Sequence, residues 1–334
     1  MSAARYFAPT LTLCAALLLT GCASATQGPA AAAPSAAAQN TAGQPVTVDN
    51  CGTKVSFAKA PERVVTIKST TTEMLLALGL GDRIEGSAAS DGPLPEEFAA
   101  DAPPILAEQL PSQEAVLETA PDLVYAGWES NFSTEGAGKR ESLQKLGINT
   151  YVSPAACKAP GYKPDPMTFD KLFGEIQEVG RIFHAEEAAQ DLVKSQQEAL
   201  AAIKPSTKEL TALWYSSGAA DSPYVGAGIG APQMIMEAAG LKNIAAEVKD
   251  TWTPYSWEVV AEQNPDVIVL IDSSWSTAKK KISVLESNPV TAKLDAVREG
   301  RYLVLPFPAS EAGVRNVAAA ASLVDQLKTM NVAD

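Results

Sequence analysis

One histidine and four cysteines bound the side-chain chemistry open to this 334-residue chain. With His184 as the lone imidazole, a His-rich metal site is excluded. Ser–His and Cys–His nucleophile systems are excluded too, unless His184 is the base. His184 falls inside a helical pattern, where a packing or surface role is expected. What remains is a set of hydroxyls, aromatic rings and a few charges. Ser69, Thr70, Thr71 and Thr72 open a predicted helix, where they cap it or hold an anionic group at its N-terminus. Trp128, Trp275 and Phe307 follow predicted strands, Tyr215 and Ser216 end one, and Trp252 sits in the loop 252–255. Aromatic walls with hydroxyl donors suit a planar organic ligand carrying polar attachments. The loop tryptophans have a second reading, as seals on the edges of the fold. Arg315, at the start of the last helix, offers a charge-assisted contact. Glu129 is either an acid or a loop cap.

Composition removes other classes. Hydrophobic residues make up 46% and charged residues 19%, a balance that supports a packed core. A formal net charge of −13 has the wrong sign for a general nucleic-acid binder.

The cysteines speak to location. Residues 1–21 carry Arg5 and then an apolar run too short to span a bilayer, which reads as a signal peptide. The run ends in Leu19-Thr20-Gly21-Cys22, a lipobox, so Cys22 is the expected lipidation site. Acyl chains there hold a soluble domain at the outer face of the cell membrane. Residues 22–44 are lipidated Cys and an uncharged Ala/Pro-rich tether. The oxidising compartment favours a disulfide between the two body cysteines, Cys51 in a hairpin turn and Cys157 in a loop.

Positioning elements follow from pattern. Ser112-Gln113-Glu114 continues to Pro121-Asp122, and Ser256-Trp257-Glu258 continues to Pro265-Asp266, each pair of positions 144 residues apart. In both, a serine caps a short helix with glutamate in its first turn, and a buried-type strand follows. The duplication implies two similar lobes. Alternating strands and helices around it predict a parallel α/β sheet in each. The expected divisions are an N-terminal lobe over 45–167, an interlobe helix over 168–204 and a C-terminal lobe over 205–334. Apolar residues at helical spacing across 168–203 predict one long, rigid helix, with Gly180 its natural breaking point. The ligand cleft is expected between the lobes, beyond the carboxyl ends of the strands.

These residues resemble the bacterial solute-binding proteins that serve iron-siderophore, haem and cobalamin ABC importers. The resemblance runs over nearly all of 45–334. It includes Thr72-Glu73-Met74-Leu75-Leu76-Ala77-Leu78-Gly79, both Glu/Pro-Asp repeats and the spine helix. It implies a receptor, not an enzyme, that acts as a monomer without a cofactor and delivers a small molecule to a permease with its cytoplasmic ATPase. It further implies that Glu114 and Glu258 dock into basic pockets of that permease. Four segments look like an actinobacterial subgroup proposed to bind a phosphorylated deazaflavin precursor. They are Val124-Tyr125-Ala126-Gly127-Trp128-Glu129-Ser130, Ser153-Pro154-Ala155-Ala156-Cys157-Lys158, residues 224–232 and residues 306–315. A haem ligand would need an axial tyrosine such as Tyr215 or Tyr255. The rivals are a siderophore or haem receptor of the same fold, a sensor or adhesion lipoprotein, and an exported hydrolase using Glu129 with Asp272.

Overall fold

The computed structural model describes residues 44–219 and 222–330. The expected signal peptide, lipidation site Cys22 and tether through residue 43 lie outside them. The chain opens with a hairpin of β1 (Val46–Asn50) and β2 (Thr53–Phe57). Cys51, at its turn, is disulfide-bonded to Cys157, 106 residues away.

The first lobe is built on β3 (Val64–Ile67), β4 (Ile84–Ala88), β5 (Ile105–Ala107), β6 (Leu123–Ala126) and β7 (Asn149–Val152). All pairs are parallel, in the order β5-β4-β3-β6-β7. Helices α1 (Ser69–Ala77), α2 (Gln113–Glu118) and α3 (Arg140–Lys145) make the crossovers. Along β6, Leu123 and Tyr125 enter one apolar cluster while Val124 and Ala126 enter another. That alternation is what a strand covered on both faces requires.

The expected single spine is two helices, α4 (Phe169–Phe183) and α5 (Glu186–Ala202). The break falls at His184, which adopts a left-handed φ of 53°, and not at Gly180. Ala185 N–H donates to Gly180 O at 2.7 Å, closing the end of α4. A Cβ on Gly180 would meet Ala189 Cβ at 2.5 Å. In a straight helix those residues would lie ~13 Å apart along the axis. The chain therefore bends sharply, and Gly180 is the residue that lets the two helices touch.

The second lobe contains β8 (Thr211–Ala219), β9 (Ser222–Gly226), β10 (Lys242–Asn243), β11 (Trp252–Pro254), β12 (Val267–Asp272) and β13 (Tyr302–Pro306). Its main order is β11-β9-β8-β12-β13. The β8–β12 and β12–β13 pairs are parallel, but β8–β9 and β9–β11 are antiparallel, so this sheet is mixed rather than wholly parallel. Its helices are α6 (Ala231–Ala238), α7 (Trp257–Gln263), α8 (Ala278–Ser287), α9 (Asp295–Arg298) and α10 (Asn316–Thr329). A 3-10 turn at Thr291–Lys293 leads into the short α9.

The two repeats do the same mechanical work. Asp122 accepts the backbone N–H groups of Glu62 and Arg63, just before β3, at 2.9 and 3.1 Å. Asp266 accepts Thr211 N–H and Thr211 Oγ1–H, at the start of β8, at 2.8 and 2.7 Å. Each Pro-Asp thus ends one helix and pins the neighbouring central strand.

One apolar cluster runs from the first sheet through α4 and α5 to the second sheet, taking in Leu123, Ile176, Val193, Trp214 and Val269. No described helix is long and apolar enough to cross a membrane.

Candidate functional site

A cavity of 490 Å³ is lined from both lobes. The first lobe contributes Thr70, Trp128, Glu129 and Lys158, and the second Ser216, Tyr224, Trp252, Trp275, Phe307 and Glu311. Strand ends and the loops after them supply most of these side chains, as open parallel sheets require. Five aromatic rings, from Trp128, Tyr224, Trp252, Trp275 and Phe307, stand on the wall. Tyr224 and Trp252 stack at 6.4 Å with ring planes 16° apart, and Trp275 meets Phe307 edge-on at 5.0 Å.

Seven of the twelve residues expected at the ligand meet here: Thr70, Trp128, Glu129, Ser216, Trp252, Trp275 and Phe307. The other five are spent elsewhere. Ser69 Oγ accepts Asp91 N–H at 2.9 Å. Thr71 Oγ1 donates to Ile67 O and Lys68 O, and Thr72 Oγ1 pairs with Thr66 Oγ1 at 2.8 Å. Tyr215 points to the opposite face of its sheet, because side chains alternate along β8. There it packs edge-on to Trp257 with ring centroids 5.2 Å apart. Arg315 grips Glu73 with two hydrogen bonds of 2.6 and 2.5 Å and donates to Pro93 O. That pair ties α1 of the first lobe to the start of α10 in the second.

Glu129 resolves as a loop cap. Its Oε2 accepts the backbone N–H groups of Lys158 and Ala159. Asp272 accepts Ala278 N–H at the start of α8 and is absent from the cavity wall, so the carboxylate pair of a hydrolase does not form.

Sequence reasoning did not single out a charged cluster behind the wall. Lys68 ends β3 at φ 86°, a left-handed conformation that costs a side-chain-bearing residue ~1–3 kcal/mol. Its Nζ pairs with Asp91 and lies 3.8 Å from the centre of the Trp128 ring. Trp128 Nε1 donates to Glu311 Oε2 at 3.4 Å. Burial pushes Asp91 above its ordinary value, against the opposing pull of Lys68. Burial, reinforced by Asp91, pushes Glu311 up to about 7. Lys158, beside the disulfide, reaches Thr251 Oγ1 at 3.1 Å and Asp250 at 3.5 Å across the cleft.

No group of three His, Cys, Asp or Glu among the described residues could hold a metal ion. His184 is at the α4–α5 junction. Tyr215 and Tyr255 are absent from the cavity wall, where Tyr224 is the tyrosine present.

Glu114 and Glu258 are both exposed, in the first turns of α2 and α7. Ser112 and Ser256 cap those helices, each accepting a backbone N–H at 3.2 and 3.1 Å.

Comparison with known proteins places this architecture. An uncharacterised ABC transporter substrate-binding lipoprotein of Bacillus subtilis, YvrC, is 26% identical over 94% of each chain. A cobalamin-binding protein of Halobacterium salinarum is 29% identical over 67% of this chain and 58% of its own. The crystal structure of a periplasmic binding protein from Veillonella parvula superposes with a TM-score of 0.74 at 26% identity, covering 85% of this chain and 98% of that one. An ABC-type Fe3+-hydroxamate transport system structure from Saccharomonospora viridis gives 0.72 at 28%, over 85% and 99%. Each of these names describes binding or transport, not a reaction. The family described as periplasmic binding protein matches residues 64–309, and the chain belongs to it, as a binding protein and not an enzyme.

Proposed function

We propose that the chain is the substrate-binding component of an ABC importer, of the class whose members take siderophores, haem or corrinoids. It captures a flat organic ligand in the interlobe cavity and hands it to a permease and its ATPase. Cys22 carries the lipid anchor, residues 23–44 are the tether, and the body acts as a monomer outside the cytoplasm. Glu114 and Glu258 present one negative charge from each lobe to the permease.

The observation that carries this reading is the aromatic cavity shared by two lobes, with an exposed glutamate on a matching helix of each. Its preferred ligand is a phosphorylated deazaflavin precursor: the tricycle lies against the aromatic rings of the wall and the phosphate takes hydroxyl donors such as Thr70 and Ser216. Tyr224 supports a second reading, because it is the tyrosine on the wall and a tyrosine can hold haem iron.

The test is to purify the body beginning after Cys22 from its native host and record native mass and visible spectra together. A bound deazaflavin-like chromophore supports the preferred ligand. Haem, a corrinoid or an iron chelate keeps the receptor and discards that ligand. Turnover of a glycoside by the same preparation would discard the receptor.

A further inference from the structure

Three charged side chains, Glu129, Lys158 and Glu311, lie on the cavity wall, and the first two are held in place. Lys158 is committed to Thr251 and Asp250, Glu129 to the backbone of its neighbouring loop, and Ser310 Oγ to Phe307 O. Glu311 differs. Its Oε2 takes one long hydrogen bond from Trp128, and its Oε1 has no hydrogen-bond partner among the described residues. Lys68 attracts it without a direct contact, its ammonium being paired with Asp91. Glu311 is half-buried on a largely apolar wall with buried Asp91 nearby, so a ligand that displaces water from its free oxygen must supply a donor in return.

Trp128 supplies the geometry for that donor. Lys68, which is not part of the wall, covers one face of the indole, and Glu311 holds its edge. The ring is therefore fixed on two sides, and its remaining surface is a ready stacking platform. A flat ring stacked there brings its own rim beside Glu311.

We infer that Glu311 reads the edge of the ligand: its free oxygen accepts a hydrogen bond from an N–H group on the rim of an aromatic ring stacked against Trp128. The inference rests on the receptor reading above. It narrows the ligand class to flat heteroaromatics with an imide, amide or protonated ring N–H at that rim. Rings whose corresponding edge carries only acceptors or anions leave the Glu311 carboxylate without a donor and are rejected.

Two probes isolate the group. Lumiflavin is a flat, neutral tricycle with one N–H on its edge; 3-methyllumiflavin replaces that hydrogen with a methyl. Binding is followed by tryptophan quenching at pH 8, with a melting curve for each protein. The wild type is expected to bind lumiflavin at least ten-fold more tightly than the methylated probe. In Glu311→Leu the preference disappears and both probes bind alike. Glu311→Gln, which keeps the shape and the contact to Trp128, retains a reduced preference and shows that loss in the leucine variant is not misfolding. Equal binding of both probes by the wild type, or an unchanged preference in a folded Glu311→Leu, overturns the role of Glu311 and leaves the receptor reading standing. Binding of neither probe overturns the ring-edge inference. If the protein from its native host is then also free of any aromatic ligand, the reading of the cavity fails with it.

Discussion

The Lys68 ammonium lies 3.8 Å from the centre of the Trp128 ring, with Asp91 bonded to the same nitrogen. The arrangement is built by the backbone. Lys68 accepts an unfavourable φ of 86°, and Gly127 makes room, since a Cβ there would come within 2.9 Å of Lys68 Cβ. A strand end thus places a cation under an aromatic ring while keeping it out of the ligand's way.

Removing that cation should be costly. Lys68→Met leaves Asp91, whose side chain is 3% exposed, as an uncompensated buried charge. The expected loss is about 3–5 kcal/mol of stability in urea denaturation. The double variant Lys68→Met/Asp91→Leu should recover most of it. It should still bind aromatic probes more weakly than the wild type, because Trp128 has lost the contact on one face. Full recovery of binding would show that Lys68 serves only to pair Asp91.

Stability should fall as pH rises through neutrality. Burial pushes Glu175 on α4 up to about 8, with Glu178 adding repulsion, and pushes Glu311 up to about 7. Between 4.5 and those values the unfolded chain has released protons that the folded protein still holds. The contribution of these two groups is therefore complete below pH 4.5 and is lost as pH climbs toward 8. The melting temperature at pH 5.5 should exceed that at pH 8.5. Glu175→Gln and Glu311→Gln should each flatten the slope, and an unaltered slope in the double variant would remove these carboxyls as its cause.

Reduction of the disulfide should weaken binding as well as stability. Cys157 precedes Lys158, and Ala155, Ala156 and Pro164 of the same loop line the cavity. The loop is further fastened by Tyr162, whose ring packs over Gly52 and whose hydroxyl donates to Asp49 at 3.2 Å. Cross-links that close a loop of this length contribute roughly 4–5 kcal/mol in the chain-entropy limit. The Cys51→Ser/Cys157→Ser variant is expected to melt lower and to bind lumiflavin several-fold more weakly. Equal affinity would mean that the hairpin anchor does not position the cavity wall.

How far the sequence reaches can be judged from particular residues. Four of the five strands of the first lobe were legible because both faces are covered, so apolar runs such as Val64–Ile67 stand out, whereas the short edge strand β5, with Ile105 69% exposed, carries no such signal. The paired Ser/Glu/Pro-Asp segments were legible because each residue has a local task. Strand β9 was hidden by Pro223, which argues against a strand interior. Helix α8 was hidden by Lys279, Lys280 and Lys281. The last of these is 1% exposed and donates to Ile271 O, where a lysine is ordinarily read as solvated. At the site, aromatic residues were found by type, but the facing of Tyr215 and the capture of Arg315 by Glu73 depend on strand phase and on contacts 242 residues apart. Glu311 lies inside a segment quoted for its resemblance, yet nothing local marks a carboxyl that closes against Trp128 from 183 residues away.

The two exposed glutamates give the remaining expectation. Ser112 and Ser256 complete the helix starts whether or not a carboxylate follows, so Glu114→Ala and Glu258→Ala remove charge while leaving α2 and α7 capped. The Ser256 hydroxyl also holds the Glu258 carboxyl below its ordinary value, keeping it ionised in mildly acidic surroundings. Neither residue lines the cavity, so ligand affinity in the double variant should match the wild type. Docking should not. Wild-type protein is expected to capture an ABC permease from detergent-solubilised host membranes, each single variant to capture it more weakly, and the double variant to reach background. The wild-type interaction should weaken between 50 and 500 mM salt, since ion pairs at an exposed interface are screened over about 10 Å at 0.1 M. Undiminished capture by the double variant would move the docking surface away from these two helices, and loss in only one single variant would restrict it to one lobe.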